Sequence, residues 1–161
     1  MARTDNEVRI TLSVLDRLLD YSPRESREPP KSRSITLREL KQAVQRDLEW
    51  LLNTRCHTEV ADEMMEEILK SVACYGLPDF TGMSVKNAND QQRLTDFLES
   101  AVRNFEPRFR DLKVTLEPMD DLTRELRFRI EARLDVEPAP EPIAFDTVLQ
   151  VGTGDFAITP K

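Results

Sequence analysis

The chain is poor in the residue types on which most catalytic and metal chemistry depends. It has a single histidine, His57, and only two cysteines, Cys56 and Cys74. A Ser-His-Asp or Cys-His system would therefore have one candidate base, and a lone histidine is usually a surface or satisfied residue. The pair Cys56-His57 has no second ligand pair at zinc spacing, so no metal site and no cofactor are expected. There is no glycine-rich phosphate loop, no Cys-x-x-Cys and no His-Glu-x-x-His. No apolar run approaches the ~20 residues of a membrane span, which argues against direct membrane insertion. The opening MARTDNEV is polar and carries no basic-then-apolar leader, so export is not expected. Two thiols without a leader fit a reducing cytosol, where they stay free.

Charge, by contrast, is plentiful: 33% of the 161 residues are charged, 30 acidic against 23 basic, for a net charge of −7. Wrapping nucleic acid requires neutralising phosphates, so nucleic acid is not an expected partner. Apolar residues make up 39%, enough for one domain with a densely charged surface.

Three sections follow one another along the chain. Residues 1–21 form an arm containing LSVLDRLLDY, in which Leu12, Leu15, Leu18 and Leu19 recur at helical spacing. Residues 22–34, SPRESREPPKSRS, hold three prolines, four serines and four basic residues with no aliphatic, and read as a flexible linker. An arm on such a strap either docks on another molecule or folds back on its own domain. The body, 35–161, opens on a capping box of Thr36 and Glu39 with Ile35 and Leu40 as hydrophobic staple. Leu37, Leu40, Val44, Leu48, Leu51 and Leu52 continue one helical stripe. A second helix is expected from Thr58, with Val60, Met64, Ile68 and Val72 on its inner face, ending at Gly76 and Pro78. A third is expected from Asn89, with Gln92 closing a capping box and Leu94, Phe97, Leu98, Ala101, Val102 and Phe105 as its apolar face.

Strands are expected after that. Leu112, Val114 and Leu116 alternate with polar residues. Leu126, Phe128, Ile130, Ala132, Leu134 and Val136 alternate strictly with Arg127, Arg129, Glu131, Arg133 and Asp135. IAFDTVLQV and DFAI complete the set. The fold class is α+β: three or four helices followed by a mostly antiparallel sheet of about four strands, with the helices packed on one face. The other face would turn Arg127, Arg129 and Arg133 towards solvent or a partner, and a short last strand would leave an open edge.

The third helix runs into FEPRF, residues 105–109. Pro107 disfavours helix at Glu106, so the helix ends there. In an extended segment Glu106, Arg108 and Arg110 would share one side, with Phe105, Pro107 and Phe109 facing the core. Glu106 is the best single carboxylate for acid catalysis, but the charge of Arg108 favours the ionised form, the opposite of what a general acid needs. The guanidinium of Arg108 is a planar fork suited to carboxylates or carbonyls. A latch on another molecule and an internal brace between helix and sheet are both open on this reading.

Four stretches in order, SVLDRLLD, RDLEWLLNTR, SVACYGLPDF and AVRNFEPRF, resemble the TssE family of small baseplate subunits of bacterial type VI secretion systems. That family is similar to a wedge component of contractile phage tails, and the resemblance runs from about Leu12 to Ile158. It implies a non-enzymatic structural protein linking the baseplate wedge to the contractile sheath and helping to initiate sheath assembly. The implied partners are wedge proteins (TssF, TssG, TssK) and sheath proteins (TssB, TssC), in the cytoplasm beside the inner-membrane-docked apparatus. Glu106, Pro107 and Arg108 match the family's Glu-Pro-Arg signature, associated with holding the subunit in the baseplate. The implied sheath contact is strand exchange at an edge among residues 110 to 158. From the proline-rich strap rather than from the resemblance, Leu15, Leu18 and Leu19 are candidate contacts of the arm with a neighbouring wedge subunit, and from the strand alternation Arg127, Arg129 and Arg133 are candidate contacts of the sheet. Cys74 stands where a polar residue is expected. Phage members bear a lysozyme label, so a peptidoglycan hydrolase is the alternative from another class. A shorter, distant branch acts as a cytosolic anti-adaptor of proteolysis, a third reading that the arm and linker disfavour.

Overall fold

The computed structural model describes residues 10, 12–19, 23–24, 32–56, 66–84, 86–117, 125–150 and 152–160. Its elements are α1 (Val14–Leu18), α2 (Arg33–Asn53), α3 (Glu66–Leu69), a short 3₁₀ turn at Val72–Cys74 and α4 (Ala88–Phe105). The strands β1 (Phe109–Leu116), β2 (Glu125–Leu134), β3 (Glu141–Gln150) and β4 (Asp155–Pro160) follow. The class is the α+β expected.

The sheet is an antiparallel meander in the order β1-β2-β3-β4. In β2, Leu126, Phe128, Ile130, Ala132 and Leu134 are buried while Arg127, Glu131 and Arg133 are exposed. The two-residue pleat thus sends one set of side chains into the core and the other to solvent. Ile143, Phe145 and Leu149 of β3 and Phe156 and Ile158 of β4 extend the same apolar face. A β-bulge interrupts β1 between Arg110 and Lys113, where Asp111 takes a φ of +52°.

The long helices cover this face, α2 against β4, α4 against β1, and each against the other. Leu40, Val44, Leu48, Leu51 and Leu52 of α2 meet Leu94, Leu98, Ala101 and Val102 of α4 in one core with the strands. Each fully buried Leu or Phe contributes about 1.5–3 kcal/mol, so this layer accounts for most of the favourable side of folding.

Several local expectations are corrected. α2 begins at Arg33 with Ser32 as N-cap, so Arg33 and Ser34 belong to the helix rather than to the linker. Thr36 is then one turn inside, its hydroxyl donating back to the Ser32 carbonyl at 3.1 Å, and Ile35 stays half exposed. Thr58, Val60 and Met64 of the expected second helix lie outside the described residues. The described end of that helix is α3 and the 3₁₀ turn, where Ile68 and Val72 are exposed rather than buried, Val72 at 89%. α4 is capped by Asn87, whose Oδ1 accepts the Asn89 N–H at 2.9 Å, and Gln92 bonds to Asp96 instead of closing a box. Residues 22 and 25–31 of the linker, and His57, lie outside the described residues. Among the described residues Cys56 and Cys74 form no disulfide, and the Cys56 thiol donates to the Ala73 carbonyl at 3.7 Å.

One glycine is required by geometry. Gly76 has φ +111°, and a Cβ there would meet the Thr54 carbonyl oxygen at 2.5 Å. The close approach lets Leu77 bond to Thr54 and Cys56, bringing the buried Leu77 beneath the end of α2.

Candidate docking site

The helix α4 ends as Pro107 dictates. Glu106 is its C-cap, with φ −119° and ψ 79°, and its N–H closes the last turn on Val102 at 2.9 Å. The next step differs from the extended segment expected. Residues 106–109 form a turn, with the Phe109 N–H on the Glu106 carbonyl at 3.3 Å. The chain reverses there from helix to strand, so two-residue alternation does not apply. Phe105 and Phe109 do pack on the core, but Pro107 is exposed and Glu106 is the buried member, 4% accessible.

That buried carboxylate is paired. Arg108 Nε donates to Glu106 Oε1 at 2.6 Å, Arg108 Nη2 donates to Oε2, and the Arg108 backbone N–H adds a bond to Oε1 at 3.2 Å. Arg108 Nη2 also reaches Asp47 Oδ2 on α2 at 2.7 Å. From Asp47 the charges continue: Arg46 donates to Asp47 Oδ1 through Nε and Nη2 and to Asp16 Oδ1 on α1 at 2.9 Å. Ser13 closes the chain by donating to Asp16 Oδ2 and accepting the Asp16 N–H. Three carboxylates and two guanidiniums therefore alternate from the β1 turn, across α2, to the arm. Burial alone would lower the pKa of Arg108. The bonds and charge of Glu106, then Asp47, outweigh it and hold the guanidinium above its ordinary value. Burial would raise Asp16, but its bonds to Ser13 and Arg46, with the charge of Arg108 behind them, hold it below the usual aspartate range.

Beside this chain lies a groove of about 380 Å³ with Leu48, Leu51, Tyr75 and Phe105 as apolar floor. Ser13, Asp47, Trp50 and the triplet Glu106-Pro107-Arg108 complete its lining. Trp50, 53% exposed, carries the Arg46 guanidinium 5.0 Å from its ring centroid. Arg108 Nη1 is buried and has no acceptor among the described residues.

The sequence-derived residues fall into two groups. Glu106, Pro107 and Arg108 line the groove, and Leu15, Leu18 and Leu19 lie on the arm that joins it, all three exposed. The arm folds back on its own domain, with Ile10 and Leu12 against the core. Arg127, Arg129 and Arg133 lie elsewhere, on the outer face of the sheet. Arg127 is 3.6 Å from Glu125, Arg129 meets Glu117 and Asp146, and Arg133 is 3.9 Å from Asp111. Such surface pairs contribute little. Asp16, Arg46, Asp47 and Trp50 were not anticipated; Trp50 had one signal, as the lone tryptophan of the chain.

Among the described residues no helix is long and apolar enough to cross a membrane. No curated protein matches the chain. The family model for baseplate wedge protein gp25 matches residues 38–139, which include α2 from Arg38 onward, α4, the triplet, β1 and β2. With that match over more than half its length, the chain belongs to the baseplate wedge protein gp25 family, structural components of phage-tail or type VI secretion baseplates.

Proposed function

We propose that the chain is a non-enzymatic wedge subunit of a type VI secretion baseplate, working in the cytoplasm, that ties the wedge to the first ring of the contractile sheath. The observation that carries this reading is the groove whose apolar floor of Leu48, Leu51, Tyr75 and Phe105 is bordered by the triplet Glu106-Pro107-Arg108. A partner segment that fills the floor and offers a carbonyl or carboxylate would meet the guanidinium of Arg108, whose side chain is 25% exposed. Its expected source is the wedge, TssF, TssG or TssK, with Leu15, Leu18 and Leu19 as added contacts.

The sheath proteins TssB and TssC are assigned to a sheet edge, and the two edges differ. The edge of β4 is capped by side chains of α2: Asn53 bonds both backbone groups of Phe156, and Gln45 donates to the Ile158 carbonyl at 2.9 Å. Along β1, the bond from the Glu117 N–H to the Arg127 carbonyl sets the ladder phase, so the backbone groups of Val114 and Leu116 point away from β2. Nothing caps them among the described residues, so we assign strand addition to β1. The charged row Arg127, Arg129 and Arg133 flanks that face.

A pull-down of tagged full-length chain from cells expressing wedge and sheath components tests both assignments. Arg108→Lys keeps the charge but loses the fork and should release the wedge proteins. Val114→Pro removes an outward N–H without breaking the β1–β2 ladder and should release the sheath proteins. Retention of every partner by both folded variants would reject the reading.

A further inference from the structure

The helix α1 is docked by its polar side. In an amphipathic helix the aliphatic residues are normally the covered ones. Here the Asp16 side chain is 10% exposed, whereas Val14 is 64%, Leu15 43% and Leu18 75% exposed. No residue of α1 is buried. What holds it is the ion pair of Asp16 with Arg46 and the packing of Ile10 and Leu12 against the core, while the Ser13 cap is internal to the arm. A partly exposed ion pair is a weak hold, and four aliphatic side chains from Val14 to Leu19 facing water make the docked position marginal.

The place it occupies matters. Ser13 forms part of the wall of the groove whose other lining includes Glu106, Pro107 and Arg108. Asp16 sits on Arg46, which shares Asp47 with Arg108, so the arm's carboxylate ends a charge chain that begins at the triplet. We infer that the segment from Leu12 to Leu19 is a self-occluding strap that narrows the docking groove through Ser13, is held there by Asp16 and is displaced when a partner seats. A parked strap lowers the apparent affinity of a partner by the fraction of molecules in which the groove is open. Displacement removes Ser13 from the wall and lets the already exposed Leu15, Leu18 and Leu19 move to a covered position, so one movement both widens the site and supplies a second contact.

The inference rests on the docking reading above, and the test separates the two. Affinity for the purified wedge components is measured with the full-length chain and with Asp16→Asn. Trp50 emission is followed in parallel, because Arg46 lies over that ring. The expected result is binding about three- to fivefold tighter in Asp16→Asn, with a change in Trp50 emission before partner is added. Unchanged affinity would overturn occlusion while leaving the docking reading intact. Weaker binding would also overturn it and make the parked arm part of the docking surface. Absence of binding by wild type and variant alike would reject the docking reading and the strap with it.

Discussion

The side chain of Asn53 pairs with the backbone of Phe156 as a neighbouring strand would. Its Oδ1 accepts the Phe156 N–H at 2.8 Å and its Nδ2 donates to the Phe156 carbonyl at 3.0 Å. Gln45, two turns earlier on α2, does half the same for Ile158. A helix thus closes one edge of the sheet, which leaves the molecule with a polarity that four strands alone would not have. An edge closed by a few side-chain amides differs from a barrel, because single substitutions can reopen it.

Asn53→Ala should therefore do two things. It strands the two outward groups of Phe156, a cost of about 1–3 kcal/mol in urea unfolding. It also exposes a second edge that can pair with another copy, so sedimentation should show stronger concentration-dependent association than wild type, in which only the β1 edge is uncapped among the described residues. A variant that associates no more than wild type would mean that α2 covers the edge without Asn53.

The pairing of Glu106 with Arg108 is answered by a double-mutant cycle. Arg108→Met leaves a carboxylate that is 4% exposed without its partner, which should cost about 3–5 kcal/mol in urea unfolding. Glu106→Gln with Arg108→Met removes both charges and should recover much of that loss, giving a coupling of about 1–3 kcal/mol. Additive effects would show that the triplet is not a brace. Both Glu106 oxygens already accept bonds from Arg108, so no acid catalysis is expected of this carboxylate. Wild type should leave a peptidoglycan zymogram uncleared, and clearing abolished by Glu106→Gln would reverse that.

The arm should be acid-sensitive in one direction. Ser13 and Arg46 hold Asp16 below its ordinary value of 3.8, so docking is favoured by the ionised form. The stabilisation is complete above about pH 3.8 and is lost as pH falls through the lowered value. Trp50 emission should change in that acidic range in wild type and lose this component in Asp16→Asn. A transition at the same pH in the variant would assign it to another carboxylate.

What the sequence discloses and what it withholds divide by distance along the chain. The alternation in β2 is legible because one residue in two must face the core, and the stop at Glu106 is legible because proline acts on its neighbour. The start of α2 is misread because Thr36 and Glu39 satisfy a capping pattern that Ser32 pre-empts one turn earlier. The turn at 106–109 is misread because alternation presumes a strand before the chain has reversed. Asp47 reaches Arg108 across 61 residues, Arg46 reaches Asp16 across 30, and Asn53 reaches Phe156 across 103. Nothing in the neighbourhood of any of these residues encodes such a contact, since it exists only once α2 lies across the sheet.

Thr147 gives the last prediction, from the core itself. It is fully buried on the inner face of β3, between Phe128 of β2 and Ile158 of β4, and its Oγ1 has no hydrogen-bond partner among the described residues. An orphaned buried hydroxyl carries a desolvation cost that an apolar group of the same shape does not. Thr147→Val keeps the branched shape and should stabilise the fold by about 1 kcal/mol in urea unfolding. Thr147→Ser keeps the hydroxyl, removes a methyl group and should destabilise by about 1 kcal/mol. The opposite signs separate desolvation from packing: loss of stability in Thr147→Val would show that the hydroxyl is satisfied in solution.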